Sequence, residues 1–169
     1  SGNIGKKQGL EVIIEAARAL KAQEDVLFVI VGDGAHRETL EHEAKGLKNI
    51  VFKPLQPLEK LNTLLATADI HLVIQKAGAA DLVLPSKLTN ILAAGGYSII
   101  TADKGTALGN LCEQYPGIAA RVDAENSAQF MAALQHELDV CKKREKFNQV
   151  ARDYAEQYLE RDAVLKQFE

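Results

Sequence analysis

Two stretches rich in glycine and lysine hold residue types suited to binding an anion: Gly2-Asn3-Ile4-Gly5-Lys6-Lys7-Gln8-Gly9, and KAGAADLVLPSKLTNILAAG from Lys76 to Gly95. Glycine and alanine let a backbone approach a ligand closely, and a helix N-terminus offers unpaired N–H groups to negative charge. Pro85 and Ser86 suit a helix start, as an N1 proline or an N-cap serine. Lys6, Lys7, Lys76 and Lys87 supply cations on both stretches. The chemistry this combination fits is the holding of a phosphorylated ligand, with the second stretch as the floor of the site.

Other chemistries lack their residues. The first stretch is not a Walker A loop, because the GxxxxGK[ST] spacing is missing. Gly32-Asp33-Gly34-Ala35-His36-Arg37 resembles a dinucleotide fingerprint without its third glycine, and reads better as a tight turn beside the ligand cleft. His36, His42, His71 and His136 show no ligand spacing, and no Asp-x-Asp pair is present to hold a metal on a diphosphate. The site is therefore expected to work without metal or cofactor, its phosphates neutralised by lysines and helix ends. No nucleophile elbow or Cys/His pair stands out. Asp69 reads as a cap or turn residue, and Asp81, inside the second stretch, as a candidate for the site.

The pattern that must position these loops alternates strands and helices. Helical spacing runs over Gln8–Ala22, and a β-branched run, Val26–Val31, predicts a strand covered on both faces. Gly32-Asp33-Gly34 is a turn signal, followed by a polar helix over Glu38–Leu47 and a short strand over Asn49–Phe52. Pro54 and Pro57 bracket a loop before a helix marked by Leu58, Leu61, Leu64 and Leu65. Strands follow at Ile70–Ile74, Tyr97–Thr101 and Gly117–Val122, with helices at Leu88–Ala94 and Leu108–Gln114. From Ser127 onward the pattern is helical, and Phe147, Val150, Ala151, Tyr154 and Tyr158 form a stripe. This order predicts a doubly wound parallel sheet of Rossmann type, whose ligands lie at the carboxyl ends of the strands.

The 169 residues suffice for one compact domain, read over 1–169, and the net charge of -3 argues against nucleic acid as the main partner. Cys112 and Cys141 match no metal or redox spacing and read as reduced thiols. No apolar run is long enough to span a membrane. The abrupt opening, SGNIGKKQG, looks like the end of a strand entering a helix, so the chain is expected to be one domain of a longer protein.

The ordered set SGNIGKKQGLE, FVIVGDGAHRETLE, NIVFKPLQPLEKLNTLLATADIHLV and QKAGAADLVLPSKLTNILAAGG resembles the C-terminal, donor-binding half of family-four glycosyltransferases with two Rossmann domains (GT-B). The subgroup it is most similar to assembles bacterial exopolysaccharide and O-antigen, as the colanic acid biosynthesis glycosyltransferases do. The resemblance covers nearly the whole chain. It implies retaining transfer of a sugar from a UDP- or GDP-sugar to a lipid-linked saccharide acceptor. Partners would be an N-terminal half of the same enzyme and, through it, a peripheral membrane contact. The location would be cytoplasmic, on the inner face of the bacterial inner membrane.

Carried over by position, the resemblance assigns Gly2, Asn3, Lys6 and Lys7 to the diphosphate loop, and Gly32 to the donor cleft. It assigns Lys53, Leu55 and Gln56 to the segment facing the base, and Lys76, Ala77, Gly78 and Asp81 to the loop near sugar and phosphates. Ser86, Lys87 and Leu88 match the helix end under the diphosphate, and Asn90 the position facing the ribose. Lys7 and Lys87 are the residues expected to stabilise the leaving diphosphate. Two departures stand out. Asn3 and Gln8 replace a common Arg and Lys, and Leu82 and Asn90 replace both acids of a Glu-x7-Glu motif. An epimerase acting on nucleotide sugars and a binding module without catalysis share much of this pattern.

Overall fold

The computed structural model describes residues 2–78 and 84–159. Strands β1 (Gly2–Asn3), β2 (Phe28–Asp33) and β3 (Ile50–Lys53) form one parallel sheet in that order. Strands β4 (His71–Val73), β5 (Ser98–Thr101) and β6 (Ala120–Val122) form a second. The connections are α1 (Glu11–Ala19), α2 (Arg37–Glu43), α3 (Leu61–Thr67), α4 (Ser86–Ala93) and α5 (Ala107–Gln114), with α6 (Ser127–Cys141) and α7 (Gln149–Tyr154) closing the order.

Alternation along β4 and β5 sends neighbouring side chains to opposite faces. Ile74 and Ile99 join a core with Ile4, Ile14, Ile30, Leu40 and Phe130. Val73 and Ile100 join another with Leu88, Leu92, Leu111 and Ile118. Both faces are thus covered, as a doubly wound sheet requires, and Ile4, Ile30, Ile74 and Ile99 in one core bring the two strand sets together.

Several element limits differ from the periodicity. Helix α1 starts at Glu11, because Gly9 in the left-handed region closes a tight 3-10 turn over Lys6–Gln8 first. Strand β2 begins two residues later than the apolar run and takes in Gly32 and Asp33, which pair with Gly2 and Asn3. Its outer face is not closed: Val29 is 49% exposed, and Leu27, just before the strand, 59%. Pro85 occupies the cap of α4 and Ser86 the first turn, so neither takes the role its residue type suggested. The C-terminal helical run breaks after Cys141. Asn148 then caps α7 by accepting the Ala151 N–H, and Ala151 and Ala155 bury against the core that contains α4. Phe147, Val150 and Tyr158, three of the five residues of the expected stripe, stay partly exposed.

His71 opens β4 beside Gly96, with Nε2 buried and lacking a hydrogen-bond partner. Burial, the leading cause, pushes its pKa below the ordinary value, against a backbone hydrogen bond at Leu65 that raises it. The unfolded chain therefore binds the proton more tightly. Stability should be full above about pH 6.5 and decline as the pH falls from there toward the folded value. Denaturant melts at several pH values check this: His71→Gln should show a flatter acid limb than the parent, and equal slopes would contradict the assignment.

Candidate functional site

The first loop is seated by the Gly-Asp-Gly turn. Ile4 N–H donates to Asp33 O at 2.8 Å, and His36 N–H donates back to Ile4 O at 3.1 Å. Gly32 has φ +149°, and a Cβ there would sit 1.9 Å from Gly2 O. Gly34 has φ +154°, and its Cβ would meet Ile4 O at 2.3 Å. Backbone thus lies directly on backbone, which only glycine permits. The Arg37 guanidinium spans Gly32 O at 2.6 Å and Lys53 O at 3.2 Å, joining the ends of β2 and β3. Gly32 is buried beneath β1 and supports the first loop from below.

Lys87 reaches this loop from the other strand set. Its Cε lies 3.6 Å from the point where a Gly2 Cβ would stand. Burial pulls its ammonium below the ordinary lysine pKa, and among the described residues it forms no ion pair. A partly desolvated cation without a counter-ion favours an anionic ligand. It stands on the first turn of α4, where the N–H groups of Ser86 and Lys87 find no partner among the described residues. Leu88 does not add a third: its N–H donates to Pro85 O at 2.9 Å and its side chain is fully buried.

Lys76 meets the same loop from the end of β4. Its N–H donates to Lys7 O at 3.4 Å, and its Cγ would touch a Cβ on Gly9 at 3.0 Å. Next to it, Ala77 N–H donates to Glu125 Oε2 at 3.2 Å, so that N–H is not available to a ligand. Glu125 holds this position with φ +57°, a left-handed conformation uncommon for a residue with a side chain. Lys76 lines a groove of about 230 Å³ with Gly9, Glu11, Glu15, Thr101, Glu125 and Ser127 among its walls. At its edge, the buried His36 donates from Nε2 to Glu11 Oε1 at 2.8 Å. Burial pushes the Glu11 carboxyl up, but its backbone hydrogen bond, His36 and the Lys76 charge together hold it below the ordinary value.

The structure sets Gly2 beside Lys87 and Lys7 beside Lys76, so the two loops are neighbours. Lys6, Lys7 and Asn3 lie exposed on the first loop, Ala77 and Gly78 on the second. Lys53 ends β3 and Leu55 and Gln56 follow it at the carboxyl end of the first sheet, with Gln56 Nε2 donating to Pro54 O at 2.9 Å. Asn90 is exposed on α4, and Asp81 and Leu82 lie outside the described residues. Glu11, Glu15 and Glu125 were not anticipated: the sequence credits the cleft with little acid beyond Asp81. The available signal was Glu11 in the first turn of a helix opened by glycine, where acids favour the dipole. Among the described residues no group of three His, Cys, Asp or Glu side chains could hold a metal ion, and no helix is long and apolar enough to cross a membrane.

The chain is similar to known proteins. The family model "Glycosyl transferases group 1" matches residues 1–154. The putative colanic acid biosynthesis glycosyl transferase WcaI of Escherichia coli (strain K12) is 51% identical over 170 residues, covering 99% of this chain and 40% of that protein. The probable glycosyltransferase WbjE of Pseudomonas aeruginosa is 31% identical over 118 residues, covering 67% of this chain and 28% of its own length. The chain thus spans well under half the length of either relative. Among solved structures, the catalytic domain of cholesterol-alpha-glucosyltransferase from Helicobacter pylori superposes with a TM-score of 0.74 at 16% identity, over 93% of this chain and 94% of that one. WaaG, a glycosyltransferase involved in lipopolysaccharide biosynthesis, gives a TM-score of 0.69 at 22% identity, over 92% of this chain and 42% of that one. At such identities these superpositions establish the Rossmann-like GT-B fold alone.

Proposed function

The chain belongs to the group 1 glycosyl transferases, and from that premise we propose that it is the donor-binding half of an enzyme that transfers sugar from a UDP- or GDP-sugar. The observation that carries this reading is Lys87, partly desolvated and without a counter-ion among the described residues, against Gly2 at the helix end. Lys7 on the first loop and Lys76 on the second add charge near the same place. As the bond between the sugar carbon and the diphosphate oxygen breaks, charge grows on that oxygen, and Lys87, Lys7 and the Ser86 and Lys87 N–H groups stabilise it. The sugar passes to an acceptor hydroxyl with retention of configuration.

The acceptor surface belongs to an N-terminal half, the acceptor is a lipid-linked saccharide, and the product enters exopolysaccharide of the colanic acid kind. The likeness to the E. coli protein over nearly the whole chain supports that pathway. The complete enzyme works in the cytoplasm, against the inner membrane face where its lipid-linked acceptor lies. Alone, the chain binds nucleotide weakly and transfers nothing.

Calorimetric titration with UDP, GDP and their sugar conjugates tests the donor site. Saturable binding to one nucleotide, insensitive to chelator, is expected. If neither this chain nor a longer enzyme containing it binds any of them, the donor reading is wrong. The groove carboxylates Glu11, Glu15 and Glu125 give an epimerase more acid than the sequence suggested, so the product must be identified: a free epimerised sugar or nucleotide sugar, in place of a glycoside, would decide for that chemistry.

A further inference from the structure

The buried contact between His36 and Glu11 has no part in the donor site as described so far, yet it stands at the wall of the groove that Lys76 enters. Each component is held. His36 is 5% exposed, and its backbone N–H is bound to Ile4 O, so it moves with the first loop. Its ring fixes Glu11 Oε1. Glu11 Oε2 is also buried but has no hydrogen-bond partner. Lys76 is confined as well: its backbone is tied to Lys7 O, and its stem lies over Gly9, two residues before Glu11. Glu11 lies within the electrostatic reach of Lys76, but no direct ion pair joins them among the described residues.

A carboxylate lining the same groove, without a direct ion pair, attracts the ammonium without consuming its hydrogen-bond donors. We propose that Glu11, clamped by His36, is a positioning residue that holds the Lys76 ammonium in the groove for the donor diphosphate. The inference rests on the donor-site reading above, and it deepens that reading by assigning work to two residues that touch no phosphate themselves. His36 sets Glu11, Glu11 sets Lys76, and Lys76 meets the ligand.

The sign of one effect separates this from simple electrostatics. Glu11→Gln keeps the shape and an acceptor for His36 but removes a negative charge near the phosphates. If Glu11 were only a nearby charge, its loss would tighten nucleotide binding. Positioning demands the opposite, a loss of about 3- to 10-fold, which is part of the worth of one charge-assisted hydrogen bond. In a Lys76→Met background Glu11→Gln should have no further effect. His36→Gln, which frees the carboxylate while keeping its charge, should weaken binding in the same direction.

A second readout needs no nucleotide. In the chain with isotope-labelled methyl groups on its lysines, the Lys76 methyl resonance, identified with Lys76→Arg, should shift in Glu11→Gln and in His36→Gln. Unmoved Lys76 resonances would overturn the proposal whatever the titration shows. So would unchanged or tighter binding in Glu11→Gln. Shifted resonances together with no nucleotide binding in the parent would leave the Glu11–Lys76 placement standing and overturn the role assigned to it along with the donor reading.

Discussion

Gly32→Ala should unseat the first loop and destabilise the chain by roughly 2–4 kcal/mol, the sum of a strained backbone and a clash that cannot be relieved by a rotamer change. The added methyl would stand 1.9 Å from Gly2 O and 3.0 Å from Gly2 C, which are backbone atoms of the paired strand. Either β1 leaves β2 or the sheet distorts. Gly46 supplies the control. Its φ is +87°, but a Cβ there meets nothing within 4 Å. Gly46→Ala should therefore cost only the left-handed strain, about 1 kcal/mol. In thermal melts the Gly32 variant should fall by about 5–15 °C, and the Gly46 variant by a few degrees. Equal shifts would mean that the close backbone contact does not exist in solution. The Gly32 variant should also lose nucleotide binding while still folded at low temperature, because Gly2, Asn3 and Ile4 no longer have a seat.

The same glycine shows what could be read from sequence. Strand and helix order was legible because β-branched runs and helical spacing alternate along the chain, and parallel pairing follows from that alternation. Gly32-Asp33-Gly34 was legible as punctuation but not as a strand. Gly32 had to be glycine in β2 because another backbone passes 1.9 Å from its missing Cβ, and that neighbour lies 30 residues earlier, at Gly2. No local pattern encodes such a contact. Lysines and small residues were legible as an anion site because their chemistry is independent of partners. Glu11 and His36 were not, since an acid inside an apolar helical stripe and an isolated histidine acquire meaning only when 25 residues of chain fold back to set them 2.8 Å apart. The bond from the Leu88 N–H to Pro85 O was not legible either, because it depends on where the backbone turns into the helix.

Lys87→Met should lower nucleotide affinity by about 10- to 100-fold, the worth of a charge-assisted contact of about 1.5–3 kcal/mol. Methionine keeps the apolar stem beside Gly2 and removes only the charge. The same substitution should slightly stabilise the unliganded chain. Burial holds the Lys87 pKa below its unfolded value, so the charged form is the one that folding disfavours. The sign in pH follows. The unfolded chain binds the Lys87 proton more tightly, so in the alkaline window below the ordinary lysine value stability at this residue rises with pH. A bound diphosphate favours the ammonium and reverses that preference, so affinity should fall as the pH rises through the lowered pKa. Titrations from neutral to alkaline pH should show this fall in the parent and lose the Lys87 share of it in Lys87→Met. A variant that binds weakly, melts higher and has a flatter alkaline profile would identify Lys87 as a residue whose charge is kept for the ligand at a cost to the fold. A variant with parental affinity would place the diphosphate elsewhere, with Lys7 and Lys76 as the remaining candidates.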